Sequence, residues 1–318
     1  MRAIMTNEPA APLPVEILLV AKLMDLAVEG LKRSFHVLDG RDPAERARLV
    51  LSHADTIRGI ATSGHAGASR ALIESLPRLE IISCFTAGVD EVDLVAAAER
   101  GIPVTATSDV LADDVADVAI AHCLLMLRRF AQADRFVREG GWAKAAFPLG
   151  RTLKGRRLGI LGMGTIGGAI ARRAEAMGMS VAYTSRSAKP ALPYAYEPSL
   201  TALAAASDIL IVCCPATPET FHMVNAAILQ ALGPDSYLVN IARGSVVDEA
   251  ALAAALQAGT IAGAGLDVFE DEPHPLPALL ALDNVVLTPH IGSGTTETRA
   301  AMGQRMIDSL RAHFTKLA

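Results

Sequence analysis

Three glycines, Gly162, Gly164 and Gly167, stand in the Gly-x-Gly-x-x-Gly spacing inside RRLGILGMGTIGGAIARRAEAMGMSVAYTSRS. That spacing has chemical meaning where a strand runs into a helix. The first glycine permits the tight turn, the second lets the backbone approach a pyrophosphate, and the third allows helix and strand to pack closely. Here the apolar run Leu158–Leu161 precedes the motif, a helical pattern follows, Gly178 stops it, and a second run, Ser180–Thr184, comes next. An ordinary βα turn would explain the spacing but not this order of elements. The N–H groups at the helix start, around Thr165 and Ile166, are then expected to face phosphates.

An NAD-selective site places Asp or Glu about 20 residues beyond the motif, to accept from the ribose 2′-hydroxyl. This chain has Ser185-Arg186-Ser187 there. A guanidinium and two hydroxyls suit a 2′-phosphate, so NADP(H) is the expected preference, with NAD(H) left open. A solvated loop arginine is the competing reading.

These residues need a frame, and the chain supplies a repeated one. Short Val/Ile/Leu runs alternate with longer Ala-rich helical patterns, the mark of βαβ units and parallel sheet. The first series of strands is expected near Val15–Val20, Phe35–Leu38, Gly59–Thr62, Leu79–Cys84 and Pro103–Ala106, with a helical segment at Val89–Glu99. The second is expected near Leu158–Leu161, Ser180–Thr184, Ile209–Cys213, Tyr237–Ile241, Gly263–Asp267 and Val285–Leu287. Between them DVLADDVADVAIAHCLLMLRRF predicts a helix with Asp109 as N-cap. Its later half is apolar nearly all round, which predicts burial between domains or against a second subunit. Thr295–Lys316 predicts a long terminal helix packing back on the first domain, and MRAIMTNEPAAPLP a loose tail before the fold.

A chain of 318 residues is long enough for two domains. Its 29 Lys and Arg against 34 Asp and Glu give a net charge of −5 without a block of one sign, which argues against nucleic acid as a partner. Although 51% of residues are hydrophobic, no run approaches the roughly 20 apolar residues of a membrane span. The four cysteines show no metal-ligand spacing, so no metal is expected; reduced thiols in a cytoplasmic protein are.

The stretches SCFTAGVDEVDL, VTATSDVLADDVAD, GILGMGTIGGAIA, VNIARGSVVDEAAL, AGAGLDVFEDEP and LTPHIGSGT resemble those of the D-isomer-specific 2-hydroxyacid dehydrogenases, over essentially the whole ordered chain. Within that family the likeness points to reductases of glyoxylate, hydroxypyruvate and hydroxyphenylpyruvate. The resemblance implies an α/β protein of two doubly wound parallel-sheet domains, Rossmann-like or flavodoxin-like. A substrate-binding domain would span 1–108 and be completed by 293–318, with the dinucleotide-binding domain at 109–292 and a homodimer as the assembly.

The resemblance also implies a catalytic set of Arg243, Glu272 and His290, and the chemistry of a 2-keto acid explains it. A planar, permanently charged guanidinium clamps the carboxylate and carbonyl oxygen. An imidazole can protonate the nascent alkoxide, and a carboxylate beside it orients the ring and favours its charged form. Taken singly, each could be a turn histidine, a surface charge or a solvated acid. Together they lie inside three matching motifs at the carboxyl ends of expected strands, where open α/β sheets bind ligands. By the same resemblance, the backbone of Ala87, Gly88 and Val89 would hold the substrate carboxylate. Pro215, Thr220, Ile241, Asp267, Gly292 and Ser293 would contact the cofactor, Asp267 through the nicotinamide carboxamide. Thr86-Ala87 stands where many relatives carry serine or another small residue. The loop Ser63–Gly67 would line the far side of the pocket, and His53, His122, His222 and His313 read as packing or surface residues.

Two rivals remain at this level. A dinucleotide-sensing interaction scaffold could use the same fold, since fold does not settle function. An enzyme acting on phosphite or formate is the other, but formate enzymes of this kind pair Gln with His, which Glu272 opposes.

Overall fold

The computed structural model describes residues 13–316. The expected tail therefore lies outside the described residues except for Leu13 and Pro14, which open the first strand. The chain divides into two compact units: the residues up to Leu111 together with those from Thr295 onward, and Ala112–Gly294.

The first unit runs β1 (Leu13–Leu19), α1 (Asp25–Ser34), β2 (Phe35–Asp39), α2 (Pro43–His53), β3 (Ile57–Thr62), α3 (Arg70–Glu74), β4 (Ile81–Cys84), α4 (Leu94–Glu99) and β5 (Val104–Thr105). Its sheet has the order β2-β1-β3-β4-β5, parallel throughout. Strands such as β4, buried at every residue, are mostly apolar because helices cover both faces of a parallel sheet. The helix expected over Val89–Glu99 is shorter. Asp93 caps it by accepting from the Ala96 N–H, and Val92 bridges to Ala68, so the residues before Asp93 form a loop. The last helix of the chain, α12 (Thr296–Thr315), belongs to this unit. Thr295 is its N-cap, and Phe314 sets its ring against Phe35 at the start of β2.

The second unit takes most of α5 (Ser108–Arg128), then α6 (Phe130–Arg138), β6 (Arg157–Leu161), α7 (Thr165–Ala176), β7 (Ser180–Thr184), β8 (Ala195–Tyr196), α8 (Leu200–Ala205), β9 (Ile209–Val212), α9 (Ala226–Leu232), β10 (Tyr237–Asn240), α10 (Glu249–Gln257), β11 (Gly263–Leu266), α11 (Pro277–Leu280) and β12 (Val285–Leu287). The parallel sheet has the order β12-β11-β10-β9-β6-β7-β8, a doubly wound arrangement whose direction of winding reverses between β6 and β9. Two details correct the sequence reading. The helix α5 begins at Ser108, so Asp109 lies in its first turn and is not its cap. The edge strand β8 went unpredicted, because two residues carry no periodicity. Both sheets otherwise follow the expected runs, each around its own apolar core.

Candidate active site

The glycine motif occupies the reversal point of the second sheet. Gly162 follows β6 with φ +103, a conformation open to glycine, and a side chain there would meet the Cys214 backbone N at 2.7 Å. At Gly167 a Cβ would lie 2.2 Å from the Gly162 carbonyl oxygen, so only hydrogen lets α7 seat on the turn. Gly164 differs: open space surrounds its missing Cβ. No side chain caps α7, whose first backbone bond runs from Gly168 N–H to Gly164 O. The amides of Thr165, Ile166 and Gly167 precede that bond and present the positive end of the helix. This cradle offers the amide donors and the open space at Gly164 that a diphosphate requires.

Ser185, Arg186 and Ser187 follow β7, beside the motif, since β6 and β7 are paired. Arg186 and Ser187 are exposed. The Ser185 hydroxyl donates to Ser187 O at 2.7 Å, which tightens the turn. Across the reversal point Cys213 donates through Sγ to Gly162 O, and the Thr220 hydroxyl donates to Pro215 O at 2.9 Å.

Arg243 lies three residues beyond β10. The buried Asn240 side chain brackets it, accepting from Ala242 N–H at 3.0 Å and donating to Arg243 O at 2.9 Å. One guanidinium N–H donates to Ala242 O at 2.7 Å. At Gly244 an added Cβ would lie 1.9 Å from the Phe269 carbonyl carbon, so the loop after β10 presses backbone to backbone on the loop after β11.

That second loop carries Glu272. One carboxylate oxygen accepts from Phe269 N–H at 3.1 Å, and the other lies 2.8 Å from His290 Nδ1. Glu249, itself buried, accepts from Glu270 N–H at 2.8 Å and ties the loop to α10; burial pushes its carboxyl above the usual range. His290 lies just past β12 with φ +54. Since β10, β11 and β12 are neighbours, Arg243, Glu272 and His290 issue from the same end of three adjacent strands. Asp267 closes β11, nearly inaccessible, and its oxygens accept from Thr288 Oγ1 (2.5 Å), Ile291 N–H (2.9 Å) and Gly292 N–H (2.8 Å). A buried carboxylate needs such partners. Ser293 follows in the same loop, half-buried.

In the first unit, Thr86 knits two loops together. Its hydroxyl accepts from Gly64 N–H at 2.6 Å and donates to Gly88 O at 2.7 Å. A Cβ on Gly64 would lie 2.5 Å from that carbonyl oxygen. Among the described residues, the amides of Ala87, Gly88 and Val89 donate to no protein acceptor. Asn240 and Thr288 were overlooked in the sequence although both lie inside the quoted motifs. His122, read there as packing or surface, is buried and lies 2.9 Å from Thr288 Oγ1. No group of metal-ligating side chains occurs among the described residues.

The family model for the D-isomer specific 2-hydroxyacid dehydrogenase NAD binding domain matches residues 120–292. The hydroxyphenylpyruvate reductase of Plectranthus scutellarioides is 50% identical over 86% of this chain and 87% of its own length. The 2-ketogluconate reductase of Gluconobacter oxydans is 44% identical over 94% of this chain and 96% of its own. Among solved structures, the NADPH-dependent glyoxylate/hydroxypyruvate reductase of Sinorhizobium meliloti, in complex with NADP and malonate, superposes with a TM-score of 0.85. It is 44% identical, with 95% of this chain and 94% of that one covered.

Proposed function

Because the chain belongs to the D-isomer-specific 2-hydroxyacid dehydrogenase family, we propose that it reduces a small 2-keto acid to the D-2-hydroxy acid, with NADPH as cofactor and His290 as proton donor. The observation that carries this reading is the pairing of His290 with Glu272 at 2.8 Å, one strand away from Arg243. When bound, the nicotinamide would supply the hydride that the carbonyl carbon takes up. Arg243 holds the carbonyl oxygen and stabilises the negative charge that grows on it. Glu272 bonds Nδ1, which leaves Nε2 as the ring atom that hands its proton to that oxygen. The backbone amides of Ala87, Gly88 and Val89, which donate to no protein acceptor among the described residues, are assigned to the substrate carboxylate.

The glycine cradle would hold the diphosphate, and Ser185, Arg186 and Ser187 a 2′-phosphate. Pro215, Thr220, Ile241, Asp267, Gly292 and Ser293 are assigned to the cofactor as contacts. The related reductases act on glyoxylate, hydroxypyruvate, hydroxyphenylpyruvate and 2-ketogluconate, so the substrate is sought among these. Steady-state rates with each acid and with NADPH or NADH test the proposal. Turnover of at least one acid, faster with NADPH, is expected; cofactor binding without turnover on any would favour the scaffold reading.

We infer a homodimer as well. The helix α6 buries none of its residues, and Phe130, Val137 and Trp142 expose apolar surface that a second copy would cover. Light scattering that gives the monomer mass would oppose this. Four free cysteines suit a cytoplasmic location, which fractionation checks.

A further inference from the structure

His122 is a buried titratable group with no part in the mechanism above. It lies in the second half of α5, is 1% exposed, and its ring is wedged against β11. A Cβ on Gly265 would come within 2.7 Å of His122 Nδ1 and 2.9 Å of its Cβ, so glycine there is what admits the imidazole.

The hydrogen bonds around it permit one arrangement of protons. Thr288 Oγ1 lies 2.5 Å from Asp267 Oδ1, and a hydroxyl beside a buried carboxylate donates to it. The same oxygen lies 2.9 Å from His122 Nε2, so it accepts there and Nε2 carries the hydrogen. His122 Nδ1, which has no partner among the described residues, is then a lone pair. The reverse tautomer would bury an unpaired N–H and take the Thr288 hydroxyl away from Asp267. A charged ring would likewise bury an unpaired N–H, in line with the fall in its proton affinity that burial causes.

The relay ends on the turn that carries His290. Asp267 binds the Thr288 hydroxyl on one side of that residue and the amides of Ile291 and Gly292 on the other. The His290 N–H donates to Thr288 O at 3.0 Å, and the residue sits at φ +54, a conformation that residues other than glycine rarely adopt. Both flanks are thus drawn onto one carboxylate, which holds His290 at the apex.

We propose that His122 is a positioning residue: by donating from Nε2 to Thr288 it directs the Thr288 hydroxyl into Asp267 and fixes the turn that presents His290. The inference rests on the functional reading above for what the turn does, but the relay itself has an independent readout. In 15N-histidine spectra of the cofactor-free protein at pH 7, His122 is neutral with its proton on Nε2. Thr288→Val, which keeps the shape and removes the hydroxyl, disturbs that signal and lowers kcat for reduction about tenfold or more, with the keto-acid KM within about twofold. Thr288→Ser restores both. His122→Leu gives the same kinetic loss as Thr288→Val; should it fail to fold, the Thr288 pair carries the test. A proton on Nδ1 in the parent, parental kcat in Thr288→Val, or equal defects in the Val and Ser variants would overturn the proposal. A parent inactive on every keto acid would overturn the functional reading instead, and the tautomer would still decide the relay.

Discussion

His290 Nδ1 lies 2.8 Å from Glu272 Oε2, and both side chains keep 30% of their surface accessible. The pair is therefore accessible, and the carboxylate fixes the ring through Nδ1. Keto-acid reduction consumes a ring proton, which the proposal assigns to Nε2. Glu272→Gln removes the charge but keeps a similar shape. Its kcat for reduction should drop about three- to tenfold, with the keto-acid KM within about twofold. Steady-state kinetics of parent and variant check this, and an unchanged kcat would separate Glu272 from the proton transfer.

Arg243 is held by Asn240 on its backbone and by Ala242 O on its guanidinium. Lysine would keep the charge and lose the fork. Arg243→Lys should lower kcat/KM for the keto acid by about a hundredfold while leaving the dissociation constant for NADPH nearly unchanged. Kinetics and cofactor titration on the same preparation measure both; near-normal turnover would make the arginine structural.

How much of this was legible in the sequence depends on the range of the interaction. The parallel strands were readable because burial on both faces makes them rich in Val, Ile and Leu, and the glycine motif because its roles are local. The proposed set of Arg243, Glu272 and His290 is marked in the sequence by its motifs, although the place where the three come together is set by strand order. Thr288 and Asn240 were missed while in plain view, since a hydroxyl or an amide has no signature until its partner is known. His122 could not have been found: its partners lie 143 and 166 positions away along the chain at Gly265 and Thr288, and a histidine in an apolar helix reads as packing. The shift of the α5 start from Asp109 to Ser108 is an ordinary uncertainty of helix ends.

Arg186 stands exposed after β7, between two serines. Arg186→Ala should reduce the preference for NADPH over NADH about tenfold, chiefly by weakening NADPH, because a charge-assisted contact to a 2′-phosphate is lost. The ratio of kcat/KM values for the two cofactors is the measurement. An unchanged ratio would assign 2′-phosphate recognition elsewhere.

His122 links the site to stability. Burial lowers its proton affinity from the ordinary value of 6.5, so below that pH the unfolded chain binds a proton that the folded chain does not. Stability from this group is thus complete above 6.5 and declines as pH falls toward the lowered folded value. Thermal melts at pH 7.5 and pH 5.5 should show a larger loss for the parent than for His122→Gln. An equal loss would mean that this ring does not contribute to acid destabilisation.

Hydride transfer onto the C2 carbonyl of a keto acid, with the proton delivered by His290, is tested most directly by incubating hydroxypyruvate and hydroxyphenylpyruvate with NADPH deuterated at the transferring position of its nicotinamide, in parent and His290→Ala. The parent should yield a D-2-hydroxy acid bearing deuterium at C2. His290→Ala should bind NADPH with similar affinity and form that product at least about a hundredfold more slowly. Unlabelled product, an L-hydroxy acid, or equal rates in the two proteins would contradict the account.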